Sequence, residues 1–411
     1  MQLNSVNILP SHHALQESYM RNTQRSLLYA AVLGCFFLAP LATVSACPFC
    51  VDQRGPTLLG DFDQAAMVLV GTFKNATFKG DIDGGSTEFH ITRALKSHEK
   101  VIDTKTKKLL KKIVLPRYVP KENVTFIIFC DVYKGVIDPY RGIELEKDSE
   151  LIDYLDGAIK YRKKPVQARL QYCFKWLNHP EFELSIDAYR EYAKADYDDY
   201  KEVAKKFDPE IVAGWLSDPK TPSFRYGLYG SLLGIAGKEK HIDLLKKMIE
   251  DPKKRRSSGI DGLLVGYMVL LDKYDRNKEG LTYLRGLMSD TDEEFLMRYA
   301  VLRTLRFFWY TRKDVLNKEQ IVDAVSLTLR HPDMADFAIE DLRKWKQWQK
   351  TEDVLKLTKL ESHDVPVIRR AVLRFALQCD CKTCGVFVSR QDEKRVEETK
   401  SLLDLESKLS N

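Results

Sequence analysis

No stretch of this sequence assembles a complete catalytic constellation. The eight histidines are scattered, and none has the partner four residues away that marks a zinc-hydrolase helix. His90 falls in a strand pattern, while His331 and His363 fall in turns, where exposed imidazoles are expected. No Gly-x-Ser-x-Gly elbow occurs, and Gly259 to Gly266 is helical in pattern instead of cradling a phosphate. Charge of one sign is also scarce, because 65 basic residues face 59 acidic ones for a net +6. The basic runs Lys105 to Lys112, Arg162 to Lys164 and Lys253 to Arg256 are short and carry no interleaved aromatics. Nucleic acid is therefore excluded as an expected partner.

What is present begins with a leader. Arg25 precedes an apolar run from Leu27 to Leu41 that ends in Ala42-Thr-Val-Ser-Ala46. A charged start, a short apolar centre and small residues before a cut are the marks of a secretory signal, not of a membrane span. Cleavage after Ala46 is expected, from a start at Met1 or at Met20. Val44-Ser-Ala-Cys47 also fits the lipoprotein processing pattern, in which Cys47 would carry the lipid and give the only membrane attachment. Either route puts the mature chain, secreted or periplasmic, where cysteines can pair.

From Asp61 to about Leu145 the period is two. Ala66 to Gly71 and Val124 to Cys130 are compact apolar runs, Thr87 to Thr92 alternates, and Ile113 to Leu115 is short. Five or so short strands separated by turn signals predict a small barrel over residues 47–147. Residues 148–180 read as a helical linker broken at Pro165.

From residue 181 to 378 one pattern recurs. Trp215-Leu-Ser-Asp-Pro219, Met248-Ile-Glu-Asp-Pro252, Leu287-Met-Ser-Asp-Thr-Asp292, Leu329-Arg-His-Pro-Asp333 and Leu360-Glu-Ser-His-Asp364 each close an apolar-periodic segment. The interval of about 30 to 45 residues is that of two-helix repeats of the HEAT and armadillo kind. New helices start with Arg225 before Leu228, Leu232 and Leu233, and with Arg298 before Val301, Leu302 and Leu305. One such pair cannot bury its stripe alone, but stacked pairs can. Residues 379–411 follow as a cysteine-rich turn and a capping helix, with Val396, Leu402, Leu403 and Leu405 expected on its inner side. The expected fold class is α+β: a small N-terminal OB-like barrel followed by an all-α HEAT/armadillo-like solenoid.

Two resemblances accompany this reading. The acidic helix, the strand ending in Val70-Gly71, the alternating strand running to Ala94-Leu-Lys96 and the late apolar strand resemble the OB-like netrin and tissue-inhibitor modules. Those modules also begin at a mature N-terminal cysteine, as Cys47 would. Their inhibitors chelate a protease zinc through that first residue and open Cys-x-Cys, whereas this chain has Cys47-Pro-Phe-Cys50. More broadly, the Ala-Cys-Pro-Phe-Cys start, Asp187 to Tyr197, Leu232 to Gly237, and Pro332 to Leu342 followed by Trp345 resemble a family of secreted, uncharacterised planctomycete proteins with a HEAT-like helical region. That resemblance implies a location and an architecture, and brings no functional residues with it.

Two residue sets can carry function. Seven of the eight cysteines follow the presumed cut, an odd number that leaves one thiol unpaired or modified. Cys47 and Cys50 have the spacing of thiol oxidoreductases. Cys379, Cys381 and Cys384 place three thiols close enough in sequence to ligate zinc or copper(I), or to lock the last repeat by a disulfide. No other motif calls for a cofactor. The second set is aromatic: Tyr226, Tyr229, Trp309, Tyr310, Trp345 and Trp348 either fill the core or line a binding groove. The expected function is a non-catalytic binding or scaffold role toward a protein or envelope component, with a thiol-based metal or redox protein as the alternative.

Overall fold

The computed structural model describes residues 55–80 and 84–410. Cys47 and Cys50, with the leader, lie outside the described residues. A short helix α1 (Leu58–Gln64) precedes five strands, β1 (Met67–Phe78), β2 (Gly85–Lys96), β3 (Lys112–Leu115), β4 (Thr125–Tyr133) and β5 (Val136–Leu145). They form one antiparallel sheet in the order β3-β2-β1-β4-β5.

The central strands read as unbroken apolar runs because both of their faces are covered. Val68, Val70, Ile127 and Phe129 face the helices. Met67, Leu69, Phe126 and Ile128 face a second core with Phe73, Phe89 and Val101. The expected barrel is not closed among the described residues. Strand β3 has four residues and meets Pro116, which has no N–H to extend a ladder, and β3 pairs with β2 alone.

Helices make up the rest: α2 (Leu151–Tyr161), α3 (Val166–Phe174), α4 (Phe182–Lys194), α5 (Tyr197–Ala204) and α6 (Pro209–Ser217). Then come the pairs α7 (Tyr226–Ala236) with α8 (His241–Glu250), α9 (Ile260–Asp272) with α10 (Asn277–Ser289), and α11 (Phe295–Tyr310) with α12 (Lys318–Ser326). Helices α13 (Ala335–Lys344), α14 (Thr351–Lys356), α15 (Pro366–Gln378), α16 (Lys382–Val388) and α17 (Glu393–Ser410) complete the chain. The first three acidic stops fall at the ends of α6, α8 and α10, and the last two at 3-10 turns that follow α12 and α14. The stretch read as a linker is not separate, since Leu151, Tyr154, Leu170 and Cys173 belong to the same continuous core as the helical pairs.

First helices lean on first helices, with α9 packed between α7 and α11, while α8 and α10 sit outside. The outer helices are two-faced, but α9 is buried on every side from Ile260 to Leu271. A helix apolar all round is one with neighbours all round. The crossing of α7 and α9 is made of backbone. Gly227, Gly230 and Gly234 repeat the spacing of Gly259, Gly262 and Gly266. A Cβ placed on Gly266 would stand 2.0 Å from the Gly230 carbonyl oxygen, and one on Gly262 would stand 2.3 Å from that of Gly227. Only glycine permits this approach.

Neighbouring pairs are also tied by polar side chains. The Nε2 of His331 donates to the Met288 carbonyl at 2.7 Å, and the Nε2 of His363 donates to the Leu329 carbonyl at 2.9 Å. Both rings are buried, which corrects the expectation of exposed imidazoles: each satisfies a carbonyl left open where the preceding unit ends. Arg298 reaches the Nδ1 of His331 and Asp333, and Arg225 donates to the Ser185 hydroxyl. At the other end, α1 is fastened to α4. The Leu58 N–H donates to Asp187 Oδ1 at 2.6 Å, and the Tyr154 hydroxyl donates to Oδ2 at 2.7 Å. Burial nevertheless holds the Asp187 carboxyl up at about 6.

Helix α17 caps the row with Val396, Thr399 and Leu403 buried. Leu402 and Leu405, expected inside, are 61% and 54% exposed. At 3.6 residues per turn they point away from the face that 396, 399 and 403 share.

Candidate functional site

The cysteine cluster forms where α15 ends. The Cys379 N–H closes the last helical turn onto the Phe375 carbonyl, and the Cys381 N–H then bonds the Cys379 carbonyl at 2.9 Å. That tight turn reverses the chain, and Cys381 caps α16 by accepting the Cys384 N–H on its Sγ at 3.4 Å. The three sulfurs thereby lie within 4.8 Å of one another. Such a group can hold a metal ion.

Cys379 and Cys384 are buried, while Cys381 is half-exposed and faces the approach. The Thr351 hydroxyl donates to the Trp348 carbonyl at 2.6 Å and lies 3.5 Å from the Cys379 sulfur. Burial pushes the Cys379 and Cys384 thiols up. Burial acts on Cys381 in the same sense, but hydrogen bonds from the Cys379 thiol and the Cys384 N–H outweigh it and hold this thiol below its ordinary value.

The other cysteines stand elsewhere. Cys130 is buried in β4, its thiol pushed up to about 12 by burial. Cys173 is buried on α3. Both behave as small apolar side chains.

The aromatic set does not form a groove. Tyr226, Tyr229, Trp309 and Trp345 are buried. Tyr229 donates to the Leu177 carbonyl at 2.8 Å, and the Trp309 and Trp345 rings stack with centroids 4.2 Å apart. Trp348 is half-buried, edge-on to Phe375 at 5.0 Å. Tyr310 differs, at 60% exposed, with its hydroxyl accepting from Trp345 Nε1 at 3.0 Å. Thin layers of paired helices need large side chains to fill the space between them, and these rings supply it.

Three features went unread in the sequence: the matched glycines, the buried histidines and the buried Asp187. The glycines alone left a signal, an identical three-and-four spacing in successive first helices.

No helix among the described residues is long and apolar enough to cross a membrane. No family model matches the chain, and no curated protein matches it either. A solved structure of human deoxyhypusine hydroxylase in complex with glycerol aligns with 62% of this chain and 97% of that chain, at 15% identity and a TM-score of 0.23. A likeness that low carries no argument here.

Proposed function

We propose that the protein is an extracytoplasmic, non-catalytic binding protein in which an OB-like module precedes a HEAT-like solenoid that presents its outer surface to another protein or envelope component. One observation carries this reading: α9 packs between α7 and α11, and α15 packs on α13, as the first helices of stacked repeats do. The OB-like assignment is supported by a strand order that would become a five-stranded barrel if β3, which already approaches β5, paired with it. Export, with Cys47 as the point of any lipid attachment, and kinship to the secreted planctomycete proteins are part of the same proposal.

The test is a photo-crosslinking amino acid placed in the full-length protein in intact cells, at exposed Tyr310 and at exposed Leu402 in turn. A discrete adduct with one envelope protein from at least one position is expected. A chain recovered in the cytoplasm, or free of adducts at both positions, overturns the reading.

A second reading is favoured by the three sulfurs within 4.8 Å of one another. In it the chain is a thiol-based protein in which Cys379, Cys381 and Cys384 hold zinc or copper(I), or exchange a disulfide. The donor set fits a soft ion: all three donors are sulfur, and two of them are shielded from water. Such an ion would clamp the end of α15 to the start of α16.

A further inference from the structure

We propose that the turn between α15 and α16 is a three-coordinate site for copper(I), with Cys379, Cys381 and Cys384 as its ligands. The proposal rests on the thiol reading above and narrows it to one ion and one geometry.

Three sulfurs around an ion at about 2.3 Å each stand about 4 Å apart. The thiols here already lie within 4.8 Å of one another, so movements of well under an ångström close the ring. The loop that presents them is held at both ends. The Cys379 N–H is bonded back into α15, whose Ala371, Val372 and Phe375 are buried, and the Gly385 N–H is bonded to the Cys381 carbonyl. Such preorganisation removes most of the ordering that ligands otherwise undergo when an ion arrives.

The choice of ion follows from the fourth position. Structural zinc sites are closed by four thiolate or imidazole ligands. No fourth cysteine, histidine or carboxylate joins this group among the described residues. The oxygen beside Cys379 is the hydroxyl of Thr351, neutral and already donating its proton to the Trp348 carbonyl. A soft monovalent ion is satisfied by three thiolates, and soft ligands select it. Entry is from the side of Cys381, the half-exposed ligand. Each thiol that binds releases its proton to solvent.

The experiment titrates the reduced full-length protein with copper(I) against a competing chelator, and separately with zinc(II), and measures the metal neighbours by X-ray absorption. One copper(I) per chain with three sulfur neighbours is expected. Cys381→Ser is expected to weaken copper(I) binding beyond the roughly 10–100-fold that loss of an outer partner costs, with Thr351→Val staying inside that range. Unchanged circular dichroism of the half-exposed Cys381→Ser variant excludes misfolding as the cause. Replacing Cys47 and Cys50 together with serine is expected to leave three sulfurs on the ion. A sulfur count that falls in that variant, or zinc bound with a nitrogen or oxygen fourth neighbour, overturns the three-coordinate copper site and leaves the thiol reading standing. Failure of either ion to bind while all three thiols remain titratable overturns both, as does a Cys381–Cys384 disulfide that persists in reductant.

Discussion

The crossing of α7 and α9 and the two ends of the helical row are held by different forces. At the crossing there is almost nothing but backbone and aliphatic side chain, brought together by glycines that allow approach and then admit no substitution. At the ends the contacts are polar and titratable: Asp187 receiving the first turn of α1, Arg343 joining Glu340, Gln378 and Glu406, and the three thiols beyond α15. The α7–α9 crossing has neighbours on both sides and can be dry, whereas other pairs along the row keep polar ties such as Arg298 with His331. An end has one neighbour, and must finish its backbone and its charges with specific partners.

The sharpest way to break this contrast is to add volume at the crossing. Gly266→Leu is expected to prevent folding, because even its Cβ would stand 2.0 Å from the Gly230 oxygen and the colliding atoms are main chain. Soluble expression and circular dichroism report it, and a folded variant would mean that the helices separate freely. Next in size is Trp309→Ala, expected to cost about 3–5 kcal/mol in denaturant unfolding. Tyr310→Ala, at an exposed position, is expected to cost far less, and a Trp309→Ala loss as small as that would restore the groove interpretation of those aromatics.

The ends answer to pH. Asp187 has its folded value held at about 6 by burial, above the 3.8 of an ordinary aspartate. The native state therefore binds this proton more tightly than the unfolded chain does. Its contribution is fully present below pH 4 and is lost as pH rises through 6, a swing of roughly 2–3 kcal/mol. Asp187→Asn is expected to flatten that part of the stability profile, and an unaltered slope would remove Asp187 as its source. Smallest is Gly286→Ala, on α10 with open space at its Cβ. It is expected to stabilise by up to about 1 kcal/mol, the opposite sign to Gly266.

How far these features were legible follows from what each depends on. The first three acidic stops marked helix ends correctly, and the central strands showed as apolar runs, because both are local signals. The density of Cys379, Cys381 and Cys384 announced their meeting, since a turn of a few residues can hardly keep three side chains apart. Closure of the sheet was not legible, because it depends on whether β3 and β5, which come close, also pair by hydrogen bonds. The inward turn of His331 and His363 depends on a carbonyl from the preceding unit, about which the residues beside them carry no information. Leu402 and Leu405 were misplaced because α17 has apolar residues on more than one side, and only the packing against α15 decides which side is inner.

His331 and His363 overlap their neighbours in one direction, like shingles. Each reaches only towards the N-terminus, so shortening the chain from its C-terminal end exposes a carbonyl that water can serve. A cut from the front takes away the acceptor instead and leaves the imidazole N–H at the new end, where water can serve it in turn. Either cut opens one polar group at the junction, a carbonyl behind or an N–H in front.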